Sequence, residues 1–305
     1  MTEFSSYLAE EVGIDYGDGL IDRREALRRL GLLGLGLGAA GALLAACSTD
    51  EPSPTDQSTA TGTPGTTGSA LPSAPALDTE TISFAGPEGR TLLGAWAAAA
   101  DPRGSVLVVH ENRGLTPHIA SVAGRLAASG FSALAIDLLS EEGGTASFSD
   151  PARATAALNA ASDERFVADM KAGVGELLRR APTLRPGAVG FCFGGGMVWS
   201  LLASGEPRLA AAAPFYGPLP GGADFSGSQR AAVLAVYAEL DSRVNASRDA
   251  AAAALARAGL TYEVVTVPAV DHGFFNDTGG RHDPAAAAAV YERLTEWFGV
   301  HLSST

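Results

Sequence analysis

Three side chains in this sequence are of the types, and fall at the spacing, that acyl transfer requires. Cys192 lies in Gly190-Phe191-Cys192-Phe193-Gly194-Gly195-Gly196, where a short apolar run meets a glycine-rich stretch. Glycines on both sides of the cysteine suit a turn that passes directly from a strand into a helix and crowds the residue at its apex. A helix beginning near Gly194 aims backbone N–H groups at the thiol and favours its thiolate, and the N–H of Phe193 is placed to receive an oxyanion. An ordinary cysteine titrates at about 8.5, so that assistance matters for attack near neutrality. Asp241 follows 49 residues after the cysteine and His272 a further 31. Each interval is about one strand–helix unit, which sets all three groups at the carboxyl ends of strands. Nucleophile, orienting acid and base in that order suit nucleophilic acyl transfer. A buried, inert cysteine would account for Cys192 taken alone; the arrival of both partners on schedule argues for chemistry.

Other candidates invite plainer readings. Glu239 competes with Asp241 as the orienting acid, whereas Asp271 adjoins His272, and adjacent side chains rarely face each other. His110 ends an apolar run and reads as core or as support for an oxyanion loop. His118 reads as a surface residue, and His282 and His301 as solvated. Glu141 and Glu142 precede a Gly-Gly pair and read as a solvated turn, and the three tryptophans as core.

These groups need elements to hold them. Residues 81–84 and 91–97 read as an antiparallel opening. Strands are then expected over 105–110, 131–138, 187–191, 209–215, 232–237 and 261–267. Helices are expected over 118–129, 163–180, 195–204, 245–258 and 284–300. Repeated alternation with short loops implies an α/β fold: one domain over 77–305, with a mainly parallel central sheet flanked by helices.

The 305 residues are 46% hydrophobic and 18% charged, enough to bury a sizeable core. A formal charge of −13 argues against a nucleic-acid partner, because an acidic surface repels phosphate. Only Cys47 and Cys192 are present, which excludes a disulfide framework and a multi-cysteine zinc site.

Residues 1–46 read as an export signal. The segment 30–46, LGLLGLGLGAAGALLAA, carries no charge and follows Arg23-Arg24, a pair that resembles a twin-arginine signal. Leu44-Ala45-Ala46-Cys47 resembles a bacterial lipobox, with Cys47 as the lipidated residue. An uncleaved anchor is the competing reading, although seventeen residues is short for a hydrocarbon core of about 30 Å. Gly36, Gly38 and Gly41 match a dinucleotide-binding pattern formally but lack the strand before it and the helix after it. Residues 47–76, rich in Ser, Thr, Pro and Gly, read as a flexible linker. The expected location is therefore the outer face of the cell membrane, held by lipid on Cys47. Secretion or an N-terminal membrane anchor are the alternatives.

From about residue 80 to 300 the chain resembles the dienelactone hydrolase (carboxymethylenebutenolidase) family of α/β-hydrolases. Four stretches carry the resemblance: His110-Glu111-Asn112-Arg113-Gly114, the Gly-Phe-Cys-Phe-Gly-Gly-Gly elbow, Tyr237 with Asp241 and Val244, and His272-Gly273-Phe274. Asp169–Val174 and Phe215-Tyr216-Gly217 are weaker matches. The resemblance implies Cys192 as nucleophile, His272 as proton shuttle and Asp241 as its orienting carboxylate. It implies Glu111 as a carboxylate that contacts the thiol and helps control its ionisation. The backbone N–H of Asn112 would join that of Phe193 in the oxyanion hole. The implied reaction opens a small ester or lactone through a thioester, with no metal or organic cofactor and no obligate protein partner. Where members specialised for dienelactones hold the substrate carboxylate with an arginine four residues after the histidine, this chain has Asn276; Arg113 and Arg281 are the nearest substitutes, or solvated surface. A thioesterase or other acyl hydrolase on the same scaffold, or a ligand-binding lipoprotein without catalysis, remain as alternatives.

Overall fold

The computed structural model describes residues 3–47 and 75–303, which fall in two compact units. The expected linker lies almost wholly outside the described residues. In the first unit, helices α1 (Glu3–Gly17), α2 (Arg23–Leu32) and α3 (Leu37–Cys47) pack against one another. Asp22 caps α2 by accepting from the Glu25 N–H at 2.8 Å. Glu25 lies between Arg28 and Arg29, whose hydrogen bonds bring its carboxyl down to about 2. Arg23 and Arg24 are exposed on the first turn. The uncharged run does not form one helix, because Gly34 turns left-handed (φ +85°) between α2 and α3. Among the described residues no helix is long and apolar enough to cross a membrane.

The second unit is built on eight strands: β1 (Glu80–Ala85), β2 (Thr91–Ala97), β3 (Gly104–Val109), β4 (Phe131–Asp137), β5 (Pro186–Phe191), β6 (Ala211–Phe215), β7 (Ala232–Ala238) and β8 (Tyr262–Val267). They lie in the order β1-β2-β4-β3-β5-β6-β7-β8. β1 and β2 pair antiparallel, as do β2 and β4; every other pairing is parallel. Strands β3 to β7 are buried throughout and mostly apolar, Ser105, Ser132 and Asp137 excepted, as expected where helices cover both faces, while β1 alternates exposed and buried positions at the edge. From β3 the chain moves one way to β4 and then returns to the other side for β5. This switch point opens a crevice beyond the carboxyl ends of β3 and β5.

The helices are α4 (Pro117–Ala128), α5 (Pro151–Ala160), α6 (Asp163–Arg180), α7 (Phe193–Ala203), α8 (Ser242–Asn245), α9 (Arg248–Arg257) and α10 (Pro284–Leu302). Side-chain caps start most of them: Thr116, Asp150, Ser162, Asp241 and Asp283 each accept a first-turn N–H. Two departures from the sequence expectations have local causes. Helix α5 was unforeseen, although Asp150-Pro151 is a start signal. The helix expected over 245–258 starts three residues later, as α9, and the short helix α8 precedes it, with Ser247 Oγ bonding the Val244 carbonyl between the two. The Asp169–Val174 match is structural: Asp169 meets Arg90 at 3.0 Å, and Gly173 lets α6 approach Leu107.

The close approach of β3 to α7 sets the position of the site. A Cβ on Gly194 would stand 2.3 Å from the Val109 carbonyl oxygen and 2.6 Å from that of His110. Backbone cannot yield cheaply at such distances, so Gly194→Ala is expected to destabilise the fold by about 1–3 kcal/mol, measured by urea denaturation.

Candidate active site

Cys192 sits between β5 and α7 with φ +56° and ψ −118°, a strained conformation for a residue with a side chain. Its N–H donates to the Phe215 carbonyl at 3.1 Å, and its own carbonyl accepts from the Gly196 N–H at 3.1 Å. It occupies the cap position of α7, yet its thiol makes no capping bond. Room for the turn comes from glycines. A Cβ on Gly190 would stand 2.1 Å from the Gly194 carbonyl oxygen, and one on Gly195 2.3 Å from that of Phe215. Helix α7 therefore starts at Phe193, two residues earlier than expected.

Asp241 and His272, from the loops after β7 and β8, are both buried and meet directly. His272 Nδ1 donates to Asp241 Oδ2 at 2.6 Å. The other carboxylate oxygen accepts from the Val244 N–H at 3.1 Å, so Asp241 caps α8 and orients the imidazole together. Burial acts most strongly on this carboxyl and opposes its ionisation. The hydrogen bond to His272, the charges of His272 and Arg243, and the Val244 N–H together outweigh it and hold the pKa below the usual carboxylate value. The rival acids are engaged elsewhere: Glu239 Oε2 accepts from the Ala269 N–H at 2.7 Å, and Asp271 Oδ1 from the backbone of His272 at 2.6 Å. The Cys192 Sγ and a ring nitrogen of His272 lie within 4.8 Å of each other.

Glu111 and Asn112 follow β3 across the crevice. Glu111 Oε2 accepts from Asn276 Nδ2 at 2.5 Å. The Asn276 oxygen in turn accepts from the Thr278 N–H at 2.9 Å and its hydroxyl at 2.7 Å, so this amide is committed to internal bonds. The Asn112 carbonyl accepts from Thr155 Oγ1 of α5 at 2.8 Å. Arg113 is exposed and Arg281 half-buried. A cavity of about 590 Å³ opens beside this loop, walled by residues that include Leu93, Arg113, Leu115, Phe148 and Ala154; neither Cys192 nor His272 is part of its wall.

Tyr216 was given no chemical part in the sequence reading. Its ring packs edge-on to that of His272 at 5.1 Å, and its backbone is left-handed at φ +33°. Its buried hydroxyl has no hydrogen-bond partner among the described residues. Burial, followed by the charges of Glu111 and Cys192, pushes its pKa well up, so it stays protonated. The Phe-Tyr-Gly sequence at a strand end was the available signal.

Three surface readings need correction. His118 is buried, not exposed: its Nδ1 donates to Asp277 Oδ1 at 2.6 Å, and Arg125 donates to Asp277 Oδ2 at 3.0 Å. His282 is half-buried and donates to the Phe274 carbonyl at 3.1 Å. His301 packs on Trp297 with ring centroids 4.4 Å apart. Glu141 and Glu142 do lie in a solvent-facing turn, where both also pair with Arg165, at 3.1 and 2.6 Å. Of the three tryptophans, Trp199 alone is fully in the core. Cys47 ends α3 in the other unit.

The family model described as the dienelactone hydrolase family matches residues 91–302. A protein of Methylorubrum extorquens with the provisional name carboxymethylenebutenolidase is 30% identical over 217 residues, 67% of this chain and 74% of its own. A crystal structure from Klebsiella pneumoniae, provisionally named a dienelactone hydrolase, superposes with a TM-score of 0.63 at 27% identity. It covers 72% of this chain and 98% of its own. A promiscuous phosphotriesterase from metagenomic libraries, described as dienelactone hydrolase-like, gives a TM-score of 0.65 at 24% identity, covering 75% of this chain and 100% of its own; that likeness is one of fold.

The buried imidazoles make stability depend on pH. Burial, the largest effect, lowers the pKa of His118, with the Asp277 hydrogen bond opposing; burial lowers that of His110 as well. An unfolded chain takes up these protons near 6.5, while the folded chain refuses them until lower pH. Stability is therefore fullest above about 6.5 and falls as the pH drops through that value. His118→Gln is expected to flatten the fall, as read by urea denaturation at about pH 8 and pH 5.5.

Proposed function

The chain belongs to the dienelactone hydrolase family and is a carboxylic ester hydrolase, and from that premise we propose that it opens a small ester or lactone with Cys192 as nucleophile. The observation that carries the reading is the junction of a strained cysteine at the head of α7 with an imidazole oriented by a buried carboxylate. His272 Nδ1 is committed to Asp241, so proton exchange with the thiol runs through Nε2. The Cys192 thiolate attacks the carbonyl carbon, and the carbonyl electron pair moves onto oxygen. The N–H groups of Asn112 and Phe193 hold that oxyanion. As the electron pair returns, the C–O bond breaks, and His272 gives its proton to the departing alkoxide, leaving a thioester on Cys192. Water, deprotonated by His272, attacks the thioester; the thiolate departs and the acid is released. In a lactone the alcohol and acid remain in one product.

Glu111 places a carboxylate in the same crevice, held by Asn276, and its charge bears on whether the thiol ionises. Asn276 is an uncharged amide, and with its NH2 donating to Glu111 and its oxygen accepting from Thr278 it supplies no cation to a substrate carboxylate. That supports an uncharged ester or lactone in preference to an anionic dienelactone.

The same proposal places the enzyme outside the cell. Support lies in Arg23-Arg24, the uncharged segment 30–46 and Leu-Ala-Ala before Cys47. On this reading residues 1–46 are an export signal, 47–76 a tether and 77–305 the hydrolase domain, held at the outer face of the membrane by lipid on Cys47. Labelled palmitate fed to cells is expected to mark the wild-type chain and to miss Cys47→Ala; equal labelling of both would remove the anchor.

Turnover of 4-nitrophenyl acetate by the full chain tests the chemistry. Cys192→Ala is expected to lower kcat by at least about 10³-fold, and Asp241→Ala by about 10²-fold or more, with the fold retained by circular dichroism. Glu111→Gln is expected to shift the pH profile of kcat/KM. Undiminished turnover by Cys192→Ala would sink the assignment of the nucleophile.

A further inference from the structure

The mechanism needs the Asn112 N–H, but nothing in it explains why that N–H, and not the carbonyl beside it, should face the reacting oxygen. The answer lies in His110. Its Nδ1 donates to the Glu111 carbonyl at 2.6 Å, which is the oxygen of the peptide that carries the Asn112 N–H. That peptide is trans, since there is no cis peptide bond among the described residues. In a planar trans peptide the C=O and N–H point in opposite directions. Holding the Glu111 oxygen against His110 therefore aims the Asn112 N–H the opposite way.

The imidazole is itself fixed. Its Nε2 accepts from the Leu138 N–H at 3.1 Å, so the tautomer with hydrogen on Nδ1 is the only one satisfying both bonds. Leu138 follows directly on Asp137, whose carboxylate accepts the Leu139 N–H at 3.0 Å, the Thr145 N–H at 2.7 Å and the Thr145 hydroxyl at 2.8 Å. The groups facing the ring are thus the Glu111 carbonyl, the Leu138 N–H, the charge of Asp137 and, with centroids 5.9 Å away, the ring of Phe193. Phe193 carries the second oxyanion donor. One side chain, fully buried, braces both donor-bearing segments.

We propose that His110 is the positioning residue of the oxyanion hole, fixing the Glu111–Asn112 peptide so that its N–H meets the developing charge. The inference rests on the reading of Cys192 as an acylated nucleophile. His110 touches no reacting atom; it acts through the peptide it holds. Losing that hold frees the peptide to turn, and removal of one oxyanion donor lowers kcat by about 10²–10³-fold.

Two substitutions in the full chain separate this role from simple support. In His110→Asn the amide nitrogen falls at the place of Nδ1 and still donates to Glu111, while the bond to Leu138 is lost. In His110→Gln the amide reaches the place of Nε2 and still accepts from Leu138, while the bond to Glu111 is lost. Each variant is assayed for kcat and KM on 4-nitrophenyl acetate and for the rate of Cys192 alkylation by iodoacetamide. Alkylation needs the thiolate but forms no oxyanion. The expected result for His110→Gln is a kcat lower by about 10²-fold, with KM and alkylation rate within about 3-fold of wild type. His110→Asn is expected to keep kcat within about 5-fold of wild type. Equal losses of kcat in the two variants, a fall in alkylation that matches the fall in kcat, or full activity in His110→Gln would each overturn the proposal. If His110→Gln does not fold, His110→Asn decides alone, because a 10²-fold loss there contradicts the assigned bond. Wild-type turnover that survives complete alkylation of Cys192 would overturn the nucleophile reading itself, and this inference with it.

Discussion

A cysteine held at φ +56° between a strand and a helix costs about 1–3 kcal/mol of backbone strain, and it persists only where its surroundings leave the chain no other path. Here the surroundings are backbone. Gly190 faces the Gly194 carbonyl, Gly194 the carbonyls ending β3, and Gly195 that of Phe215. Each contact is too close for a Cβ, so the turn, the first turn of α7 and the ends of β3 and β6 form one tightly fitted unit. The strain at Cys192 and the run of glycines around it are two aspects of the same constraint.

The imidazole opposite that turn is held less by its own neighbours in sequence than by a loop tied down at several points. Asp241 fixes the ring from the loop after β7. Asn276 reaches across to Glu111, and Asp277, the next residue, turns to His118 and Arg125 on α4. His282 closes the loop on the Phe274 carbonyl. Consecutive side chains of one loop thus tie the segment after His272 to Glu111 and to α4 on the flank of the sheet. Buried polar groups of this kind are costly unless satisfied, and nearly every one of them is satisfied by a partner distant in sequence. Among the described residues, His118 Nε2 and the Tyr216 hydroxyl are exceptions, each buried without a hydrogen-bond partner, and the Tyr216 ring carries the core up against His272.

Much of this was legible in the sequence. The alternation of apolar runs and helical patterns gave all eight strands and most helices to within a few residues, because burial on both faces leaves a run of Val, Ala, Leu and Phe that reads as little else. The Gly-x-Cys-x-Gly-Gly pattern and the intervals to Asp241 and His272 anticipated a strand–turn–helix junction at Cys192 and the meeting of Cys192, Asp241 and His272, since such a turn demands small residues at fixed offsets. Helix α5 has no clear signal because its alanine-rich sequence has little periodicity, and the late start of α9 has none because Asn245–Ser247 are equally compatible with its first turn.

The sequence by itself determined the fold class and the spacing that carries Cys192, Asp241 and His272 to the carboxyl ends of strands, all properties of local pattern and of intervals along the chain. Only the tertiary structure decided which acid orients His272, because Asp241, Glu239 and Asp271 are alike in chemistry and differ only in where they point. Only it removed His118 from the surface, since the residue that buries it, Asp277, lies 159 positions away. And only it showed that the amide at position 276 is committed to Glu111, and that His110 grips the peptide carrying the Asn112 N–H. Hydrogen-bond direction and long-range pairing depend on how strands and loops meet in space, and no interval along the chain records that.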